Sequence, residues 1–169
     1  MYTAAALLDL HRRTHLTLTR LLQHCAPFSA EELTREHEGF GYANLREQLS
    51  HGIGAEEYWL SVVLGTFKDD PQEPDCPTVE ALEEYRRRVA AITEDYLRRT
   101  TDAELNTARE MWAWPGKMRS LVPALVILRT QTHIYQHQGQ VLAICRLLGR
   151  PSPGNLDFPL DPELEAAPR

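Results

Sequence analysis

The sequence lacks several features that would each indicate a particular class of protein. No run of eighteen apolar residues occurs, so no segment is expected to span a membrane. Basic residues are in the minority, because 18 lysines and arginines stand against 24 acidic residues and give a formal net charge of -6. A nucleic-acid-binding protein would need a basic surface, and a protein bound to anionic lipid would need a polybasic cluster. Neither nucleic acid nor membrane is therefore expected as a partner.

Cysteine is scarce, and its spacing excludes two common kinds of site. The three cysteines are Cys25, Cys76 and Cys145, and no two of them form a C-x-x-C motif. Zinc ribbons and thioredoxin-like redox sites are thereby excluded. Scattered free thiols suit a reducing cytosol. The first residues also lack the basic and apolar regions of a secretory signal, so a cytoplasmic protein is expected.

Helical periodicity is what the sequence does contain, and signals for strands are nearly absent. Four long helices are predicted, at about residues 3–25, 43–64, 79–99 and 117–148. Capping-box patterns at Ser29 and Thr101 predict two short helical segments. A chain of 169 residues can bury a core of its own. The predicted fold is all-α, an antiparallel four-helix bundle with a long crossover connection.

The chain divides by composition near Pro151. Residues 1–151 are predicted to form the bundle, and residues 152–169 a proline-rich acidic tail that is extended or disordered. The stretch from Trp112 to Gly116 interrupts the helical pattern before the last helix. Trp112 and Trp114 are expected to cover one end of the bundle.

Histidines on the predicted helices are the candidate metal ligands. His133 and His137 lie one turn apart on the stripe of the fourth helix that faces the core, and His51 lies on the corresponding stripe of the second. Three neutral imidazoles leave a coordination position open, as in catalytic zinc sites. His11 and His15 have the same spacing, so spacing alone does not choose between the pairs. A single histidine in a core also often just hydrogen-bonds a carbonyl.

Two segments resemble the signature of the DinB-like superfamily. In the second helix a histidine precedes a glutamate and a tryptophan, and in the fourth a histidine pair precedes Gly-Gln; the residues are His51, Glu56, Trp59, His133, His137, Gly139 and Gln140. The resemblance extends over about residues 3–151 and implies a four-helix bundle. It also implies that His51, His133 and His137 bind zinc, nickel or iron. His11 and His15 match no ligand of the family and are interpreted as packing or rim residues. The sequence departs from the family pattern at Tyr42 and Gln138.

The resemblance also carries an expected function. Members with known activity use a metal to transfer bacillithiol, mycothiol or glutathione, so the expected partners are a small-molecule thiol and an electrophile. No side chain is required as a nucleophile. Metal-dependent hydrolysis is an alternative and would need a general base, for which Glu56 is the only candidate. A non-enzymatic metal-binding bundle with a role in stress response is the other alternative. A homodimer remains open.

Overall fold

The computed structural model describes residues 1–68, 74–114 and 116–161, and within them six helices and one hairpin. In chain order the elements are α1 (Ala4–Cys25), α2 (Ala30–Thr34), α3 (Leu45–Leu64), α4 (Val79–Arg99), α5 (Asp102–Asn106), β1 (Arg109–Ala113), β2 (Lys117–Leu121) and α6 (Pro123–Leu147). The four long helices α1, α3, α4 and α6 form the predicted all-α bundle. No helix in these ranges is long and apolar enough to cross a membrane.

Helix boundaries follow local side-chain chemistry. Asn44 and Thr78 accept hydrogen bonds from amides in the first turns of α3 and α4, which have no partner within the helix. The predicted capping boxes at Ser29 and Thr101 are both present and begin α2 and α5. Gly65 ends α3 with a φ of 70°, a left-handed conformation that costs glycine little.

The prediction that the fourth long helix begins at Lys117 was wrong. Residues 117–121 form strand β2, which pairs antiparallel with β1 from Arg109 opposite Leu121 to Ala113 opposite Lys117. The helix begins instead at Pro123, because proline has no amide hydrogen to satisfy and its fixed φ suits the first helical position.

The hairpin, and not the two tryptophans, covers one end of the bundle. Met111 and Ala113 are buried in a cluster with Val62, Val63 and Val126. The side chains of Trp112 and Trp114 are 44% and 64% exposed. Alternation along a strand accounts for the difference, since successive side chains point to opposite faces.

Contacts between the long helices fix their directions. Helices α3 and α6 run antiparallel, because Gln48 hydrogen-bonds Gln140 while Trp59, eleven residues further along α3, contacts Arg129. The pairs Arg12–Glu94 and His15–Arg86 make α1 and α4 antiparallel in the same way.

Helices α3 and α4 run parallel. Glu56 hydrogen-bonds Thr93, and one turn further on in both helices Leu60 and Leu97 share an apolar cluster. The end of α3 and the start of α4 therefore lie at opposite ends of the bundle. The connection between these two ends is the predicted long crossover. Its residues 69–73 lie outside the described ranges.

The segment that follows α6 packs along α1. Leu156 is 8% exposed and belongs to the main core cluster. The guanidinium of Arg13 donates to the carbonyls of Pro159 and Asp161 at 3.0 and 2.6 Å, and the Thr17 hydroxyl donates to that of Asp157 at 3.2 Å. Residues 152–161 contain no helix or strand, and the backbone has a positive φ at Gly154 and Asn155. The rest of the predicted tail, 162–169, lies outside the described residues.

Two leucines of this segment provide a matched test of its packing. We expect Leu156→Ala to lower the free energy of unfolding by about 2–3 kcal/mol, because it removes a buried side chain and leaves a cavity. Leu160 is 89% exposed, so Leu160→Ala should change stability by less than about 0.5 kcal/mol. Urea denaturation followed by circular dichroism measures both. Equal effects of the two substitutions would show that the segment does not pack on the bundle in solution.

Candidate metal centre

The three histidines singled out from the sequence lie together where α3 meets α6. His51 comes from α3, and His133 and His137 from successive turns of α6. One ligand atom from each lies within 4.8 Å of the others. The Nε2 atoms of His51 and His133 are 3.2 Å apart. That separation is close to the roughly 3.3 Å expected for two nitrogens bound to one tetrahedral zinc ion.

A glutamine orients the most buried of these imidazoles. His137 Nδ1 donates to the side-chain carbonyl of Gln48 at 2.6 Å. The amide nitrogen of Gln48 is held in turn by the Tyr42 carbonyl at 2.7 Å and the Gln140 carbonyl at 2.8 Å. This arrangement places the His137 proton on Nδ1 and leaves the Nε2 lone pair for a metal. Such an outer hydrogen bond is usual for histidine ligands.

The environment also keeps the three imidazoles neutral, as metal binding requires. Burial, together with repulsion from His133 and His51, lowers the pKa of His137 to about 4. Burial lowers the pKa of His51, and His133 lowers it further. Burial and then the nearby Arg129 guanidinium lower the pKa of His133. The donor set therefore fits a divalent ion without prior loss of a proton.

The site is closed on one side and accessible on another. The ring of Tyr42 stacks on His51, with centroids 4.1 Å apart and planes at 23°, and meets His137 edge-on at 5.8 Å. His137 is buried, whereas His51 and His133 are half-buried. Helices α3 and α6 approach closely at Gly52, where an added Cβ would lie 3.7 Å from the Cβ of His137.

Sequence reasoning did not identify Gln48 or Tyr42 as site residues. Gln48 lies one turn before His51 on the same inward stripe, and a buried amide beside a candidate ligand is a signal that could have indicated it. Tyr42 was noted only as a departure from the family pattern. The second departure, Gln138, is buried and donates from its amide nitrogen to the carbonyl of Leu156. Its amide group therefore supports the C-terminal segment.

His11 and His15 belong to a second buried cluster, which is centred on Glu56. Their Nε2 atoms lie 2.9 Å from the two Glu56 oxygens, and the Thr93 hydroxyl donates to Oε1 at 2.7 Å. Since both histidines are buried, the interpretation of them as rim residues is wrong.

The position of protons distinguishes this cluster from the three-histidine site, although its three ligand atoms also lie within 4.8 Å of one another. Arg86 donates to His15 Nδ1 at 3.2 Å, so the proton of this neutral imidazole is on Nε2, facing Glu56. A metal on Nε2 would move that proton to Nδ1, against the guanidinium. The hydrogen bonds therefore favour a buried carboxylate held by imidazole donors over a second metal site.

These contacts give no support to Glu56 as a general base. Its side chain is 1% exposed, and both carboxylate oxygens already accept hydrogen bonds. Burial alone would raise the pKa of Glu56, but the electrostatic interaction with the His15 N–H and the hydrogen bonds from His11 and His15 lower it well below 4.5. Glu56 therefore remains ionised inside the bundle.

The buried carboxylate should make stability depend on pH. The pKa of Glu56 is lower in the folded protein than in the unfolded chain, where it is about 4.3, so its stabilisation is present above that pH and is lost as the pH falls. Burial lowers the pKa of His15 in the folded protein. Below about pH 6.5 the His15 imidazole is therefore protonated in the unfolded chain but not in the folded one, which also favours unfolding. We expect Glu56→Gln to cost about 3 kcal/mol at pH 7 and to flatten the decline below pH 4.5.

Urea denaturation of the metal-free protein from pH 3 to 7 measures this dependence. Glu84→Gln is the matched control, because Glu84 is an exposed glutamate on α4. It should leave the profile within about 0.5 kcal/mol of the wild type. A Glu56→Gln variant as stable as the wild type at pH 7 would contradict the assigned network.

The two histidine clusters make opposite predictions for metal content. Replacing His51, His133 or His137 with Ala should lower bound metal to background, because each substitution removes a ligand. His11→Ala and His15→Ala should retain one equivalent while losing stability. Elemental analysis of protein expressed without a histidine tag measures the content. Loss of metal from His15→Ala with retention in His133→Ala would reverse the assignment.

Comparisons with known proteins address the fold and the family. Among solved structures, a DinB-like protein from Bacillus cereus ATCC 10987 is similar, with a TM-score of 0.73 and 20% sequence identity over 91% of this chain and 99% of its own. That likeness shows a common fold. No curated protein is significantly similar to the chain. The DinB family model matches residues 1–169, which confirms the resemblance found from the motifs. This chain belongs to the DinB family.

Proposed function

We propose that this protein is a metal-dependent transferase that joins a low-molecular-weight thiol to an electrophile. The observation that carries the proposal is the set of three neutral imidazoles His51, His133 and His137, of which His51 and His133 are half-buried and His137 is buried. Three protein ligands leave room for one further donor, as in catalytic and unlike closed structural zinc sites. Zinc, nickel and iron all accept imidazole ligands.

A divalent ion held there would lower the pKa of a thiol from its usual value of about 8.5, so that thiolate predominates at neutral pH. Other side chains of the protein hold the ligand histidines in place. Gln48 fixes the proton of His137 on Nδ1, and Tyr42 covers one face of His51. Because His51 and His133 are only half-buried, the site remains accessible to the thiol and its electrophile.

The reaction requires no protein nucleophile and no protein base. In a substitution, the new sulfur–carbon bond replaces the bond to the leaving group, and the proton of the thiol passes to water. A reaction without a protein base is compatible with the buried position of Glu56, whose oxygens accept hydrogen bonds from His11, His15 and Thr93. Metal-dependent hydrolysis, which needs a base beside an attacking water, is less well supported.

A second candidate is a metal-binding bundle without turnover, for instance one with a role in stress response. The stacking of Tyr42 on His51 favours it, because an aromatic ring 4.1 Å from the imidazole narrows access to the site. His51 and His133 are only half-buried, so a substrate can still reach the site, and we therefore prefer the transferase.

Conjugation of a small thiol to monochlorobimane tests the reaction directly. At pH 7 a thiol with a pKa of 8.5 is about 3% ionised, so complete ionisation alone would raise the rate about 30-fold. The rate with metal-loaded protein should rise with pH and level off well below pH 8.5. Fluorescence of the conjugate measures it for bacillithiol, mycothiol, glutathione and coenzyme A.

The blank for this assay is His133→Ala, which keeps the bundle and removes one ligand. Failure of the metal-loaded wild type to exceed this blank with any of the four thiols would refute the transferase proposal. The binding role would then be the better description.

A further inference from the structure

Between the imidazoles and the hairpin, α3 and α6 each contribute one side chain to a cation–π pair. We call it the Trp59–Arg129 pair. Arg129 lies one turn before His133 on α6, and Trp59 lies two turns after His51 on α3. The Arg129 guanidinium carbon is 4.8 Å from the centroid of the Trp59 ring. A cation–π contact of this kind holds the guanidinium at a defined position one turn from His133.

The charge of Arg129 has no carboxylate partner within residues 1–68, 74–114 and 116–161. Ion pairs in these ranges involve other arginines, among them Arg12, Arg86 and Arg98. Arg129 is exposed and lies one turn before His133 on the same helix. A guanidinium packed on an aromatic face retains its edge donors for an outside acceptor.

We propose that Arg129, supported by Trp59, binds a carboxylate of the thiol substrate, and that this substrate is a thiol that carries a carboxylate. The inference rests on the proposed function and names the substrate class for it. Paired N–H donors of arginine match the two oxygens of a carboxylate. The thiol would place its sulfur near the imidazoles and its carboxylate at the Trp59–Arg129 pair.

Helix geometry sets the length of this substrate. Arg129 is four residues from His133, a rise of about 6 Å, and Trp59 is eight residues from His51, a rise of about 12 Å. An extended peptide spans about 3.5 Å per residue, so two to three residues cover about 7–10 Å. Glutathione has this size and, like bacillithiol, carries carboxylates, whereas mycothiol carries none.

Two thiols that differ only in the carboxylate test the inference without measuring turnover. N-acetyl-cysteinylglycine and its C-terminal amide are titrated into cobalt(II)-loaded protein, and the sulfur-to-cobalt absorption band gives each dissociation constant. The acid should bind about tenfold more tightly than the amide, because it adds a charge-assisted hydrogen-bonded pair. The Arg129→Gln variant should bind the acid only as tightly as the amide, and its affinity for the amide should equal that of the wild type.

Matched variants separate this effect from general changes of charge or fold. Arg146→Gln removes an exposed arginine from the last turn of the same helix and should preserve the tenfold preference. Arg129→Lys keeps the charge but not the paired donors, so an intermediate preference is expected. Circular dichroism verifies that each variant is folded.

The outcomes separate failure of the inference from failure of the proposed function. Equal binding of acid and amide to the wild type, or a preference that survives Arg129→Gln, would overturn the role of Arg129 while leaving thiol binding intact. If neither thiol alters the cobalt spectrum, thiol binding at the metal fails, and both proposals are overturned together.

Discussion

Close antiparallel packing of α3 against α6 is the constraint on which the metal centre depends. Where Gly52 faces His137 the two backbones come near enough for imidazoles from both helices to converge. The hydrogen bond from His137 to Gln48 then ties the same two helices together and sets the tautomer of a ligand. One interface therefore determines the positions of the donor atoms and which nitrogen is available. A larger separation of the helices would lose both properties at once.

Helix α3 also serves a second cluster, which shows that residue types alone do not define a metal site. Both clusters pair two histidines one turn apart with a residue from another helix. At His137 an amide carbonyl accepts from Nδ1, whereas at His15 a guanidinium donates to Nδ1. The first arrangement exposes a lone pair to the centre of its cluster and the second directs a proton there. Gln48 and Arg86 thus give similar sets of residues different chemistry.

The sequence predicted the features that depend on periodicity and missed those that depend on tertiary contact. Spacing on α3 and α6 indicated the inward histidines, and the capping signals at Ser29 and Thr101 were correct. Strand β2 was missed because Lys117–Leu121 is largely exposed and carries no apolar alternation. The tautomers depend on Gln48 and Arg86, which are respectively 89 and 71 residues away in sequence from the histidines that they contact. No local pattern could have indicated those pairs.

The position of the C-terminal segment has a consequence for the order in which the protein folds during synthesis. Arg13 contacts the carbonyl of Asp161, which is 148 residues further along the chain, and α6 packs beside α1. The first helix therefore emerges from the ribosome long before either of these partners exists. At a translation rate of about 5–20 residues per second, the apolar face of α1 remains without these partners for on the order of ten seconds. That interval, set by topology and translation speed, is when a chaperone would have most to bind.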